Sequence, residues 1–280
     1  MKIIIAKDAG YCFGVRDAVD LAYDVANSEG NVYMLGDIVH NEKVVEALNA
    51  EGATVVDKID DIPEGSSVLF RAHGTKQKVW KEASKKNINI VDATCPLVYE
   101  IHNEVKNIAK DGRQIFVIGD HGHDEVIAIA DQVKDTIVIS NIEEANKLKK
   151  YKKAGVVSQS TQTIENVQEI INILMTKVFD LHFVNTICYP TKRNQEQIKE
   201  LAKVADLMII IGSFTSANSK RLTLLSKNIN QNTYQVCSSN DIKIKWFKNS
   251  SIVGISAGAS TPDYLINEVK DKVERIGEKK

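Results

Sequence analysis

Three of the four cysteines stand apart from one another: Cys12 in GYCFGV, Cys95 in DATCPLV and Cys188 in NTICYPT. Each follows an apolar, strand-like run and sits among Gly, Pro or polar residues. They divide the chain into near-equal thirds, so a folding pattern repeated three times would bring three thiols to one centre. Three thiolates around one metal or cluster leave a position open, which is the arrangement of a reactive site. Spacing alone does not decide for a metal. Zinc sites usually show a CxxC or a close Cys/His pair, and the common cluster signatures bunch their cysteines. Three buried thiols acting as small apolar side chains are the commoner outcome of such spacing. Cys237, at the end of TYQV, reads as an ordinary thiol.

Polar groups gather at the same kind of place. GDIVHN with His40 follows VYML, RAHG with His73 follows SVLF, and GDHGHDEV with His121, His123 and Glu125 follows QIFVI. QSTQT with Ser160 follows GVVS, SFTSANS with Ser216 and Asn218 follows LMIIIG, and AGAST with Ser260 follows SIVGIS. Taken singly, these loops read as helix caps or solvated residues. Together they offer imidazoles, hydroxyls and helix N-termini, which suit phosphate oxygens. A His/Glu pair such as His123 and Glu125 can shuttle protons if the loop aims both at one ligand, although Glu125 also reads as a first-turn glutamate favoured by the helix dipole. His102 and His182 lie in regular segments and carry no such reading. No GxGxxG follows a strand and no P-loop lysine pattern occurs, which argues against a nucleotide cofactor.

The elements that must position these groups alternate. Short runs rich in Val and Ile, apolar on both faces, suit strands of parallel sheets: 2–6, 32–35, 53–56, 67–70, 88–91, 114–119, 136–140, 155–158, 207–212, 233–236 and 251–256. Helical patterns lie between them, at 15–28, 41–51, 164–178 and 194–205 among others. The expected class is α/β, and in open α/β sheets ligands collect beyond the carboxyl ends of strands. Using the cysteines as a ruler, three small α/β lobes are expected: 13–95, 96–188, and 189–280 joined by 1–12. No sequence repeat marks them.

The composition is that of an ordinary globular protein: 280 residues, 43% hydrophobic and 26% charged, with 36 basic and 37 acidic residues. A net charge of −1 argues against bulk attraction to nucleic acid or anionic lipid. No apolar run approaches a membrane span, and the start is too soon broken for a secretory signal, so the expected location is cytoplasmic, where thiols stay reduced.

Read in order, the motifs AxxxGYCFGV, IVHN, RAHG, VDATCPLV, GDHGHDEV, QSTQT, NTICYPTKRNQ, GSFTSANSKRL and SAGASTPD resemble those of the 4-hydroxy-3-methylbut-2-enyl diphosphate reductase family, over nearly the whole chain. The resemblance implies three α/β lobes with mostly parallel sheets around a central iron–sulfur site. It implies a [4Fe–4S] cluster on Cys12, Cys95 and Cys188, with one iron left open for the substrate's hydroxyl end. It implies substrate binding by His40, His73, His123, Ser216, Asn218 and Ser260, mostly at the diphosphate, with Ser160 near the hydroxyl end and Glu125 as the proton-relay carboxylate. The implied reaction is a two-electron reductive dehydroxylation giving isopentenyl and dimethylallyl diphosphate and water. Electrons would come from a ferredoxin or flavodoxin, since no flavin or nicotinamide motif is present. Asp124 stands where the family usually has Pro, Ala217 where it has Ser or Thr, and Ser160 where it has Thr. Two rival readings are a zinc-dependent hydrolase of a small phosphorylated substrate and a ligand-binding module with inert cysteines.

Overall fold

A computed structural model describes residues 1–28 and 32–278. From the N-terminus the chain runs β1 (Lys2–Ile5), α1 (Phe13–Ser28), β2 (Val32–Leu35), α2 (Glu42–Ala50), β3 (Ala53–Val56) and β4 (Ser67–Phe70). It continues through α3 (Gln77–Lys85), β5 (Asn89–Asp92), α4 (Pro96–Lys110), β6 (Gln114–Ile118), α5 (Asp124–Ala130), β7 (Ile137–Ile139), α6 (Ile142–Lys147) and β8 (Tyr151–Ser158). The last elements are α7 (Ile164–Lys177), β9 (Val178–Phe183), α8 (Tyr189–Val204), β10 (Leu207–Ile211), α9 (Ala217–Ile229), β11 (Thr233–Val236), β12 (Ile252–Ala257) and α10 (Asp263–Glu278).

The strands form three four-stranded sheets, ordered β3-β2-β4-β5, β7-β6-β8-β9 and β11-β10-β12-β1. The paired strands run parallel throughout. The molecule is therefore three small α/β lobes. Ranked along the chain, each sheet has the order second, first, third, fourth, with β1 serving as fourth strand of the last sheet. That order places a topological switch between first and third strands, where loops part and leave room for a ligand.

The repeat that the side chains hide is visible in the backbone. The residue after each first strand is glycine: Gly36, Gly119 and Gly212. Each N–H donates to the carbonyl ending the second strand, at Val56 (2.8 Å), Ile139 (3.0 Å) and Val236 (2.9 Å). A Cβ at these positions would meet the Arg71 guanidinium, the Val126 side chain and the Ser219 side chain respectively. One backbone device recurs while the residue that enforces it differs.

By Cα proximity the chain divides into two compact units. One comprises Met1–Arg16, His40–Val44 and Tyr189–Lys280; the other comprises Asp17–Val39 and Val45–Cys188. In the first, α10 shows why helices join these sheets. Leu265, Ile266, Val269, Val273 and Ile276 recur at helical spacing and pack with Leu207, Ile209, Val253 and Ile255 of the sheet. Burying five such side chains contributes about 10 kcal/mol before entropy is counted.

Three stretches depart from the sequence reading. The helix expected to reach residue 178 ends at Lys177, and β9 begins at the next residue. No turn residue separates the two, and Phe179 on this edge strand is 92% exposed, so no buried run announces it. The strand expected at 155–158 starts at Tyr151, because exposed Lys152 and Lys153 disguise its first half. The helix expected from 194 starts at Tyr189, with Pro190 in its first turn, where a missing N–H costs nothing.

Candidate active site

In the first unit, the loops after β10, β12 and β1 gather with the segment His40–Val44. Ser216 caps α9, its hydroxyl accepting from the Ser219 N–H (3.3 Å). The Ser260 hydroxyl donates to the His40 carbonyl (3.0 Å), and the Asn41 amide donates to the Ser260 carbonyl (2.7 Å). Glu42 accepts from the Ser213 hydroxyl (2.7 Å) and from Thr215. Burial pushes the Glu42 carboxyl up, but the bonds from Ser213, its own backbone and Thr215 outweigh it and hold the group below the usual range. His40, Ser216, Asn218 and Ser260 thus lie on loops tied to one another.

Sequence reasoning missed Ser219. Its hydroxyl is fully buried in the first turn of α9, wedged where a side chain on Gly212 or Gly258 would stand, and has no hydrogen-bond partner among the described residues. The spacing of glycines before two different helices was its only trace. The N-terminus of α9, with this buried hydroxyl in its first turn, has anion-binding character.

Cys12 stands directly before α1, and its carbonyl accepts from the Arg16 N–H (2.9 Å). It opens on a cleft of about 370 Å³ also lined by Phe13, Arg16, Tyr189, Arg193 and Asn218. The Phe13 and Tyr189 rings stack at 5.8 Å. The loop from β1 to Cys12 is pinned through Asp8, which accepts from Arg193 (2.9 Å) and Gln197.

In the second unit, His123 caps α5: its Nδ1 accepts from the Glu125 N–H (3.2 Å), which leaves the proton of the neutral ring on Nε2. Glu125 is only 2% exposed. Ser160 donates to both of its oxygens, through the backbone N–H (2.6 Å) and the hydroxyl (2.8 Å). The Ser160 carbonyl in turn accepts from the Cys188 N–H (3.0 Å). The His73 ring meets the His123 ring edge to face, with centroids 5.5 Å apart. Cys95 caps α4 just before Pro96, and its N–H donates to the Ala72 carbonyl in the His73 loop (3.0 Å). Each of these two cysteines is thereby tethered to the loop after the third strand of its own lobe.

The other histidines play different parts. His121 is exposed and pairs with Glu144 (2.9 Å). His102 is 4% exposed on α4, beneath Gly74, and burial lowers its pKa to about 4, so it is neutral at pH 7. Tyr99, on α4, anchors the strand end before Cys95 by donating to Asp92; burial and that carboxylate push its hydroxyl up to about 12.

A family model described as LytB protein matches residues 3–274. The chain belongs to the LytB family. It is 38% identical over 281 residues to a 4-hydroxy-3-methylbut-2-enyl diphosphate reductase of Geotalea daltonii, covering 100% of this chain and 99% of the relative. It is 35% identical to the protein of that name from Caldanaerobacter subterraneus subsp. tengcongensis, covering 99% and 98%. A solved structure titled (E)-4-hydroxy-3-methyl-but-2-enyl diphosphate reductase, the terminal enzyme of the non-mevalonate pathway, aligns with TM-score 0.73 at 36% identity, covering 98% of this chain and 99% of that one. The E-1-hydroxy-2-methyl-but-2-enyl-4-diphosphate reductase from Plasmodium falciparum aligns with TM-score 0.91 at 28% identity, covering 98% and 87%. LytB proteins of this kind are oxidoreductases, so the chain is an enzyme of that class and the hydrolase reading is set aside.

The donor set suits an iron–sulfur cofactor. Cys12, Cys95 and Cys188 each immediately precede a helix, α1, α4 and α8, and each follows the fourth strand of a lobe. A helix N-terminus favours the negative charge that a thiolate ligand must carry. All three are half-buried, which admits a ligand while limiting water.

Proposed function

We propose that this chain reduces 4-hydroxy-3-methylbut-2-enyl diphosphate to isopentenyl and dimethylallyl diphosphate. Two electrons and two protons enter, the allylic C–O bond breaks, and the oxygen leaves as water. The observation that carries this reading is the placement of Cys12, Cys95 and Cys188 after three topologically equivalent strands, each at a helix N-terminus. These three would hold a [4Fe–4S] cluster, which when bound supplies an electron source and an open iron for the hydroxyl end. The lobe boundaries 13–95, 96–188 and 189–280 with 1–12 belong to the same reading.

The chain's own groups have separate tasks. His40, Ser216, Asn218 and Ser260 hold the diphosphate, with His73 and His123, and the N-terminal turn of α9 shares the anionic charge without a lysine clamp. Glu125 stores the proton. Its link to the Ser160 hydroxyl at 2.8 Å is the first leg of a path toward the hydroxyl end of the ligand. Burial of Glu125 keeps bulk water from competing for that proton. Electrons come from a ferredoxin or flavodoxin. The proposed location is the cytoplasm; among the described residues no helix is long and apolar enough to cross a membrane.

The test is an anaerobic visible spectrum with iron and acid-labile sulfide assays, followed by a reductase assay with a chemical reductant. Brown protein with near-equal iron and sulfide that turns over the allylic diphosphate is the expected result. Protein that stays colourless after anaerobic reconstitution overturns the reading.

A further inference from the structure

We propose that Arg71 and Asp124 form a clamp that registers the histidine-bearing loops of the second unit, making them positioning residues for ligand binding. The Arg71 guanidinium donates twice to the Leu35 carbonyl, from Nε (3.1 Å) and Nη2 (2.7 Å). Its Nη1 pairs with the Asp124 carboxylate. One side chain thus joins three loop beginnings. Leu35 ends β2, Arg71 lies two residues before His73, and Asp124 lies between His123 and Glu125. Gly36 is the glycine this arrangement demands, since a Cβ there would run into the guanidinium.

The pair is well placed to act. Its side chains are 19% and 33% exposed, so the charges are partly shielded and the planar fork is held on both sides. Asp124 is the first residue of α5, where a carboxylate is also favoured by the helix dipole. Through it the clamp fixes the turn whose cap is His123. Through the short Arg71–His73 segment it fixes the ring that meets His123 at 5.5 Å. Arg71 does not itself serve as an anion clamp, because its donors are turned to a carbonyl and a carboxylate within the protein. Asp124, at the position where the family's motif usually carries Pro, gives this chain a carboxylate for the arginine to pair with.

The inference rests on the proposed reading only for what the histidines bind. Its test begins with the cluster-free chain. Ring signals of His73 and His123 are followed by NMR in Asp124→Asn and Arg71→Lys, and binding of inorganic diphosphate is measured by calorimetry. The clamp predicts that each variant shifts both rings, including the one on the loop that was not altered. Diphosphate binding weakens about fivefold in each, and the double variant is no worse than the more damaging single one. In loaded enzyme KM rises by a similar factor while kcat stays within about twofold. Shifts confined to the altered loop, or losses that multiply in the double variant, overturn the clamp. If Arg71→Lys does not fold, Asp124→Asn carries the test alone, since Asn is tolerated in a first helical turn. A loaded wild type that fails to reduce the allylic diphosphate overturns the function and leaves the ring shifts to judge the clamp.

Discussion

The β11-β10-β12-β1 sheet has a cysteine beyond each of its edge strands, and the two have opposite surroundings. Cys12 follows β1 by a loop pinned through Asp8, precedes the 16-residue helix α1, and shares its cleft with Lys7, Arg16 and Arg193, the two arginines being paired with Asp263 and Asp8. Cys237 follows β11 directly and leads into a 3-10 turn of three residues. Its N–H donates to Asp241 (2.8 Å) and its thiol points at the Gly212 carbonyl (3.6 Å). Burial pushes the Cys237 thiol up, and Asp241 and Glu42 add to that. A cysteine beyond a strand end therefore becomes a ligand candidate through the element it leads into and the charges around it. A true helix N-terminus favours thiolate; a short turn, burial and unpaired carboxylates nearby favour the thiol.

The largest expected effect tests that contrast directly. Cys12→Ser should remove the visible absorbance and lower reductase activity more than about 100-fold, as should Cys95→Ser and Cys188→Ser. Cys237→Ser should leave both within about twofold. Full cluster content in Cys12→Ser would erase the distinction between the two edges. Next in size, Glu125→Gln should keep iron and sulfide but lower kcat by about 10² to 10³, because it removes the proton store without touching a thiol. Equal loss of cluster in Glu125→Gln would mean that its bonds to Ser160, and so to the Cys188 backbone, serve mainly to hold the ligand cysteine.

The same desolvation acts on a base at His102. Burial lowers its pKa to about 4, Lys106 adds to this and Asp92 opposes it. The folded value lies below the ordinary 6.5, so the unfolded chain takes up a proton first as pH falls. Stability contributed by neutral His102 is fully present above about 6.5 and is lost as pH falls toward 4, by about 2–3 kcal/mol. Urea unfolding of the cluster-free chain at pH 7 and pH 4.5 should show that drop, and His102→Leu should reduce it. An unchanged drop in the variant would remove His102 from the account.

Much of this fold was legible because its strands are short apolar runs: LMIII and SVLF are buried throughout, as parallel strands between helices must be. β9 was not, since Phe179 faces outward and helix passes into strand without a breaker. The three lobes were expected, but the glycines that mark their repeat, Gly36, Gly119 and Gly212, escaped, because their role lies in backbone bonds and the side chains that crowd them in space, Arg71, Val126 and Ser219, differ in type. Polar residues beyond strand ends were visible as candidates, Glu125 and Ser160 among them, but their mutual hydrogen bonds join residues on separate strands' loops and no local pattern encodes them. Ser219 and Arg71 were passed over for the same reason. Neither carries a local signal of its role, which only its neighbours in space give it.

A smaller effect concerns reactivity. In the cluster-free chain at pH 7.5, iodoacetamide should modify Cys12 about tenfold faster than Cys237, read by mass spectrometry of the two peptides. Both thiols are half-buried, so access alone does not separate them. Equal rates would mean that the N-terminus of α1 does little for Cys12, and the ligand assignment would then rest on topology.

The smallest effect lies at the alkaline end of Cys237. Its folded pKa is raised above the ordinary 9.0, so the unfolded chain loses the proton first as pH climbs. The stability held by the neutral thiol is fully present below pH 9 and is lost as pH rises through the raised value. Because the site is only partly buried, solvent screening keeps the loss small. Lysines and tyrosines titrate in the same range, so the informative quantity is a difference of differences: unfolding free energy at pH 7.5 minus that at pH 10, in wild type and in Cys237→Ser. Serine does not titrate there, so the variant should lose less. If it loses as much as wild type, Cys237 is not held as a thiol by its surroundings. The contrast between the two edges of the sheet would then rest on Cys12 alone.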